Sequence, residues 1–466
     1  MVYLLYRESQ GHPVVRRRTW GSVFLDRFHH PTQVVATGFG VTILLGSVLL
    51  TLPMATTTGE PADWVTALFT ATSAVCVTGL VVVDTATHWS VFGEVVIAGL
   101  IQVGGLGIMT LATLFTVLLA GRLGLRARIA LQTETKSLSM SDVRRVVRNV
   151  VLFALAGEAI TAVFLTARFM IGYDEPFGEA LYLGGFHAIS AFNNAGFALW
   201  PDNLMGFVSD PWICLPIAIA VVTGGLGFPV VFELARSWRH PRRWSVLTRV
   251  TVGVSAILIV GATLIYLATE WNNARTMGPL DDPDKLMASF FAAVMPRSGG
   301  FNTVDIAAMN PSSMLVTDVL MFIGGGSAST AGGIKVTTFG LLAFIIWAEL
   351  RGENRVNVGH RRLAEATQRQ AVTITLVGVA LVTISTYVLL VLTPYSLDRV
   401  LFEVISAFAT NGLSTGITAD TSMAAHVLLA VLMFVGRIGP LTLGSALALK
   451  ERTRRFELPE ERVIVG

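Results

Sequence analysis

One pattern constrains the fold of this chain more than any other, because it occurs four times. VTGL at 77–80, NAGF at 194–197, GGF at 299–301 and NGL at 411–413 each place a glycine before a bulky apolar residue. The glycines are Gly79, Gly196, Gly300 and Gly412, spaced by 117, 104 and 112 residues. A proline precedes each, at Pro61, Pro176, Pro283 and Pro394. A glycine-rich apolar stretch follows each: QVGGLGIM from Gln102, TGGLGFP from Thr223, GGGSASTAGG from Gly324 and GRIGPL from Gly436. A repeat of this length is a statement about architecture. Four copies of one unit can surround a common axis, and an axis through a membrane is a pore.

Composition supplies the membrane. Apolar residues make up 53% of the chain and charged residues 14%, with a mean hydropathy of +0.65. Soluble domains carry about 25% charged residues. Eight apolar stretches reach the roughly 20 residues that a spanning helix needs. They lie near 33–54, 91–120, 146–171, 211–235, 247–269, 312–350, 370–393 and 424–449. Glycines interrupt the stretch 312–350. Between the members of each pair lies a shorter stretch: 62–76, 178–193, 284–297 and 396–410. These are too short to cross and read as re-entrant pore helices. The expected fold is an all-α polytopic membrane protein of four consecutive helix–pore-helix–helix repeats. Eight transmembrane helices and four re-entrant helices then surround one pseudo-fourfold pore. The repeats run 33–121, 146–236, 247–351 and 370–449, between cytoplasmic segments 1–32 and 450–466.

Charge sets the expected orientation. Of 34 Lys and Arg, 27 fall in 1–32, 121–149, 236–249, 351–369 and 450–462. Drawn with eight spans, all five segments share one side, so both termini are cytoplasmic. The opposite side is acidic, with Glu60 and Asp63; Asp174, Glu175 and Glu179; and Asp281, Asp282 and Asp284. Positive-inside loops account for the basic clusters, so no nucleic-acid partner is expected. The first apolar run is long enough to span and does not read as a cleaved signal. Cys76 and Cys214 allow neither a disulfide framework nor a metal motif. No carboxylate pair, His–Glu motif or nucleophile constellation points to an enzyme.

Within one unit, acid–proline pairs open three short helices, at Glu60–Pro61, Glu175–Pro176 and Asp282–Pro283; the fourth has Pro394 with Asp398 further on. Acids suit the positive helix end, and proline costs nothing in the first turn. The negative ends then converge on the glycines, which favours a cation there. Backbone carbonyls can line a narrow pore only where the chain takes dihedrals that glycine adopts at low strain. The candidate selectivity filter is therefore Val77, Thr78 and Gly79; Asn194, Ala195 and Gly196; Ser298, Gly299 and Gly300; and Thr410, Asn411 and Gly412. Gly104, Gly105, Gly224 and Gly225 in the returning helices suit close packing instead. Asp84, Asp202, Asp305 and Asp420 follow the filter glycines by five, six, five and eight residues. An acidic ring at the outer mouth and ordinary turn aspartates are both open readings of them.

Three basic residues, Arg297, Lys335 and Arg437, fall inside apolar segments and need a partner or a role. Lys335 follows Gly324, Gly325, Gly326, Ser327, Ala328, Ser329, Thr330, Ala331, Gly332 and Gly333, a run that does not hold a helix. An unwound loop here lies below the filter and obstructs the pore as a gate. It lacks the Gly-Lys-Ser/Thr ending of a phosphate-binding loop. Arg437 sits at a similar level, either bonding to the plug's carbonyls, or acting as a cationic barrier, or paired with a carboxylate among Glu158, Asp318 and Glu403. His187 reads as a satisfied core residue.

VTGL, FNNAGF, GGFNTVD, TNGLSTG, STAGGIK and GRIGPLT together resemble the Trk/Ktr/HKT superfamily of potassium transporters, nearest to its branch of KtrB membrane subunits. The resemblance covers about 33–449. It implies potassium uptake across the bacterial inner (cell) membrane by a homodimer with one pore per subunit. It implies a potassium ion held by the carbonyls of a single-glycine filter. It places Ser327–Lys335 in an intramembrane gating loop and Arg437 beneath the filter. It implies a cytoplasmic KtrA-like RCK ring that binds ATP or ADP, with no organic cofactor in this chain, and membrane lipids around it. A sodium-selective or Na⁺/K⁺-cotransporting member is the alternative, and sodium as activator or coupled ion stays open. Gly79 stands where sodium-selective plant relatives carry serine. The chain departs from the family in its gating loop, which usually reads closer to GSPGSTAGGIK, and in Gly299, where a larger residue is more common.

Overall fold

The computed structural model describes residues 31–122, 140–353, 355–358 and 361–449. The basic segments 1–30 and 450–466, and most of 121–149, lie outside them. Fourteen helices of ten residues or more carry the fold among the described residues: α1 (Pro31–Leu50), α2 (Trp64–Val75), α3 (Val91–Arg122), α4 (Met140–Tyr173), α5 (Phe177–Phe192), α6 (Pro211–Leu226), α7 (Phe228–Ser237), α8 (Val246–Glu270), α9 (Asp282–Val294), α10 (Pro311–Phe322), α11 (Val336–Leu350), α12 (Glu365–Leu392), α13 (Leu397–Ala409) and α14 (Met423–Leu449). An antiparallel hairpin of two-residue strands, Asn357–Val358 with Arg361–Arg362, and two isolated bridges, Thr56 with Trp89 and Ile323 with Ile334, are the β-structure there.

Among the described residues, four stretches are long and apolar enough to cross a membrane: Val91–Leu111, Arg144–Tyr173, Val246–Glu270 and Glu365–Leu392. The bent pair α6–α7 makes a fifth. Their outward faces carry Val163 (67% exposed), Ile257 (72%) and Tyr387 (70%), a surface suited to hydrocarbon and not to water. The four short helices α2, α5, α9 and α13 fall where the sequence expects half helices. They are the buried elements: Phe69, Phe192, Phe291 and Phe402, one from each, are fully enclosed.

The helix starts follow local chemistry. Asp63 caps α2 by accepting from the amides of Val65 (2.9 Å) and Thr66 (3.3 Å). Asp210 caps α6 through the Trp212 amide at 2.9 Å, with Pro211 in the first position. The expectation that proline sits in the first turn of the short helices holds only at Pro283 in α9. Pro61 and Pro394 precede their helices, and Pro176 is itself the cap residue of α5.

Two apolar runs break. The run 312–350 divides into α10 and α11 around an unwound segment, as its glycines lead one to expect. The run 211–235, expected as one span, divides at Gly227 (φ +88°) into α6 and α7, bent by 103°. Pro229 is the physical cause: it has no N–H for the carbonyl of Gly225 four residues earlier, so the helix cannot continue unbroken. The related GGLG in α3 has no proline after it and stays helical.

Candidate functional site

The four glycine loops share one backbone signature. Each has a left-handed residue two positions before the glycine and a left-handed glycine: Val77 (+55°) and Gly79 (+95°), Asn194 (+63°) and Gly196 (+73°), Ser298 (+82°) and Gly300 (+72°), Thr410 (+46°) and Gly412 (+99°). Positive φ at Val77 and Thr410 is strained for β-branched side chains and persists only where the surroundings impose it.

The loops close into a ring. A Cβ built on Gly196 would fall 2.6 Å from the Gly300 Cα, and one on Gly300 would fall 2.5 Å from the Asn411 carbonyl oxygen. Built on Gly79 it would meet the Ala195 carbonyl oxygen, and on Gly412 the Thr78 carbonyl oxygen, both closer than 3.0 Å. The Gly299 carbonyl oxygen would lie 3.1 Å from that Cβ on Gly196. Each glycine therefore abuts the carbonyl just before the next glycine, in the order one, two, three, four and back to one. The sequence-derived filter residues are brought together, and glycine is required by space as well as by φ.

Supports around the ring come from positions that sequence reasoning missed. The residue six before the glycine is serine in three units. Ser73 accepts from the Gly79 amide (3.0 Å), Ser406 accepts from the Gly412 amide (3.1 Å), and Ser190 donates to the Phe197 carbonyl (2.8 Å). Aligning the four short helices on their glycines would have exposed them. The residue nine before the glycine is His187 in α5 and Glu403 in α13. His187 accepts the Leu199 amide at Nε2 (3.2 Å) while Nδ1 faces the Leu183 carbonyl (2.7 Å), so it is the satisfied core residue expected. Glu403 accepts from the Thr415 amide (2.8 Å) and from Ser414 and Thr418 (both 2.7 Å). Both hold the amide three residues past the glycine. Thr70 and Phe291 occupy the matching positions in the other two units, and the Thr70 hydroxyl has no partner among the described residues. Unit three is the outlier: its short helix ends in a 3-10 turn, Met295–Arg297, whose Met295 and Pro296 carbonyls accept from Asn411 Nδ2 (3.0 and 2.8 Å).

The unwound segment between α10 and α11 lies against the helix side of this ring. Its stems pair with each other: the Gly324 amide donates to the Ile334 carbonyl (2.9 Å) and the Val336 amide to Gly325 (2.9 Å). Its crown touches three loops. Thr330 Oγ1 donates to Asn194 Oδ1 (3.0 Å), and the Gly332 amide donates to Ser298 Oγ (3.0 Å). Thr410 Oγ1 lies where a Cβ on Gly332 would stand. The crown is also held by α6. The carbonyl of Gly225, left without the Pro229 donor, accepts from the Gly326 amide at 2.7 Å, and Gly224 accepts from Thr330 at 3.3 Å. A Cβ built on Gly227 would fall 2.7 Å from the Ser327 carbonyl oxygen and 2.9 Å from that of Ala328, so only glycine fits against the crown there. Gly224 therefore serves the segment as well as the packing expected of it; Gly104 and Gly105 press on Val75 and Asn193 as packing residues.

The intramembrane charges are sorted. Arg437 donates through Nη1 to the Thr330 carbonyl, and its Nε and Nη2 have no partner among the described residues. No carboxylate pairs with it there. Glu158 is bonded by Gln102 and Asn193 (3.0 and 2.9 Å), and Glu403 by its own loop. Lys335 Nζ donates to the Ala331 carbonyl, and Arg297 Nη2 donates to Ser255 Oγ (2.8 Å). Of the four aspartates past the loops, Asp84 and Asp305 each cap a short helical turn, at Thr87 (2.8 Å) and Ala307 (2.9 Å), and Asp202 and Asp420 are exposed.

A family model described as TrkH, cation transport protein, matches residues 10–453. The chain is 40% identical over 436 residues to the Ktr system potassium uptake protein B of Bacillus subtilis (strain 168), covering 94% of this chain and 97% of that protein. It is 34% identical over 442 residues to the potassium/sodium uptake protein NtpJ of Enterococcus hirae, covering 94% and 97%. The crystal structure of the potassium transporter TrkH from Vibrio parahaemolyticus superposes with a TM-score of 0.68 at 19% identity, over 91% of this chain and 87% of that one, a likeness of fold.

Proposed function

Because the chain belongs to the TrkH family of cation transport proteins, we propose that it takes up potassium through a pore formed by its own four repeats. The observation that carries this reading is the ring of four glycine loops with one backbone signature. In this reading α1 with α3, α4 with α6, α8 with α10–α11, and α12 with α14 are the eight spans, α7 turns aside at the inner end of α6, and α2, α5, α9 and α13 are re-entrant. The repeats keep the bounds 33–121, 146–236, 247–351 and 370–449. Four short helices direct their negative ends to the ring. Carbonyls at Thr78, Ala195, Gly299 and Asn411 replace the hydration shell of one potassium ion at a time. Asp84, Asp202, Asp305 and Asp420 raise the local cation concentration at the outer mouth.

The segment Gly324–Gly333 closes the path on the inner side, and Arg437 holds it shut through Thr330. Opening requires the crown to leave Asn194 and Ser298. The signal comes from a cytoplasmic KtrA-like RCK ring that binds ATP or ADP, acting on a homodimer in the bacterial inner membrane with both termini inside. The test is ion uptake by proteoliposomes holding the purified chain, with and without such a ring. Uptake of K⁺ or Rb⁺ well above Na⁺ supports the reading. Equal permeability, or a preference for Na⁺, refutes it in favour of a sodium-conducting member of the same family.

A further inference from the structure

The 103° bend that frees the Gly225 carbonyl also turns α7 across the axis of α6. If α6 crosses the bilayer, α7 lies along its surface. The sequence of α7 and its following turn suits that place. Phe232 (58%) and Trp238 (64%) are exposed, and Arg236, Arg239, Arg242 and Arg243 are exposed beside them. Glu233 is the only acid between 228 and 250. It is already occupied within the chain: it accepts from the Ser245 amide and hydroxyl, both at 2.7 Å, and from Thr248. Trp244 Nε1 donates to the Ser237 carbonyl at 3.0 Å, so the turn after α7 is braced against it. The guanidinium of Arg239 sits 4.9 Å from the Trp238 ring centre, which keeps that ring at the charged edge. An amphipathic helix with aromatic residues and arginines that pair with no acid among the described residues is the kind of element that lies in a lipid interface and pairs with anionic headgroups.

We infer that α7 is an anionic-phospholipid-binding helix whose attachment to the membrane surface steadies the Gly227 bend and, through the Gly225 and Gly224 carbonyls, the crown of the segment Gly324–Gly333. Exposed aromatic residues and the in-plane orientation favour lipid over an acidic protein, because a protein partner requires neither. The four arginines act together. Each contributes on the order of fivefold to attachment at an anionic surface. Attachment holds the bend, the bend leaves the Gly225 carbonyl available to the Gly326 amide, and the crown stays seated. Anionic lipid therefore lowers flux, an effect that rests on the potassium-pore reading above.

The experiment uses the full chain in vesicles of phosphatidylcholine alone and of phosphatidylcholine with an equal part of phosphatidylglycerol. A nitroxide placed at exposed Ala235→Cys reports depth; Cys76 and Cys214 are buried and stay unlabelled. Rb⁺ flux is read on the same samples. The expected result is a deeper label and about fivefold or more lower flux with phosphatidylglycerol. In the variant R236Q/R239Q/R242Q/R243Q neither quantity should respond. Equal depth in the two lipids, or a variant that responds like the parent, overturns the proposal and leaves the arginines to another partner. A depth change without a flux change overturns the coupling to the crown. Absence of Rb⁺ flux in every sample counts against the pore reading, and depth still decides lipid binding.

Discussion

Replacing Gly79 by serine tests the ring at its most exposed assumption. Gly79 has φ +95°, and a Cβ there would lie closer than 3.0 Å to the Ala195 carbonyl oxygen, a separation real Cβ atoms essentially never show. That oxygen is backbone and cannot swing away. The first loop must shift, which pulls the Thr78 carbonyl off the Gly412 position it abuts. Holding a non-glycine residue at such a φ costs about 1–3 kcal/mol. Ion preference is a difference of binding free energies, and about 1.4 kcal/mol is tenfold. Discrimination of K⁺ over Na⁺ should therefore fall on the order of tenfold to hundredfold. The assay is competitive Rb⁺ and Na⁺ uptake into proteoliposomes. Gly59→Ala is the control: Gly59 has φ +73° with open space around its Cβ position, so it carries the same strain without touching the ring. It should keep the parental preference. A folded Gly79→Ser protein with unchanged K⁺ preference, or a Gly59→Ala protein that loses it, refutes the ring argument.

Three further outcomes are expected. Deleting Gly326–Gly333 removes the crown and, by joining Gly325 to Ile334, the parallel pairing of its stems, so flux should rise, and flux at or below the parental value would make the segment structural. Arg437→Gln removes the charge while keeping a donor within reach of Thr330; flux should rise by about fivefold to tenfold, the difference between a charge-assisted and a neutral hydrogen bond, and a folded protein with parental flux takes Arg437 out of gating. Pro229→Ala restores an N–H that competes with Gly326 for the Gly225 carbonyl. It should straighten α6–α7 and raise flux, and a spin-label distance across Gly227 that stays at its parental value would refute the role given to the proline.

Much of the fold is legible in the sequence. The four loop glycines stand out because two constraints coincide there, positive φ and backbone contact, and only glycine satisfies both. The break in 312–350 was legible because five glycines in ten residues cannot hold a helix. The break at Gly227 was overlooked for a physical reason. A single Gly-Phe-Pro in a long apolar run reads as a tolerated kink, since proline occurs in spans where neighbours satisfy the freed carbonyl. What satisfies the carbonyl that Pro229 leaves free is the crown, a segment about a hundred residues later that supplies the missing donor. Likewise, nothing local in Ser73 or Glu403 marks a support. Their roles depend on amides past the glycine, and only comparison between units reveals the shared offsets of six and nine.

Those offsets show where fourfold symmetry ends. Units two and four carry the polar residue nine before the glycine, His187 and Glu403, and each ties the segment past its loop back to its short helix. Units one and three carry Thr70 and Phe291 and lack the tie. The ring is thus held rigidly at two opposite loops and more loosely at the two between them. The loose pair differs further: Gly79 is braced by Ser73, whereas unit three has no serine at that offset and relies on Asn411 of unit four to hold its 3-10 turn. The crown makes its firmest contacts to Asn194 and Ser298, in units two and three, and enters from unit three. A crown that moves will therefore disturb the third loop most, because that loop has the weakest support of its own and the most direct bond to the segment. In the proposed pore, conduction and closure would meet at Ser298, whose hydroxyl accepts from the Gly332 amide (3.0 Å) and donates to the Thr410 carbonyl (3.2 Å). One hydroxyl linking the crown to two loops of the ring gives the crown's position a direct route to the ring's shape.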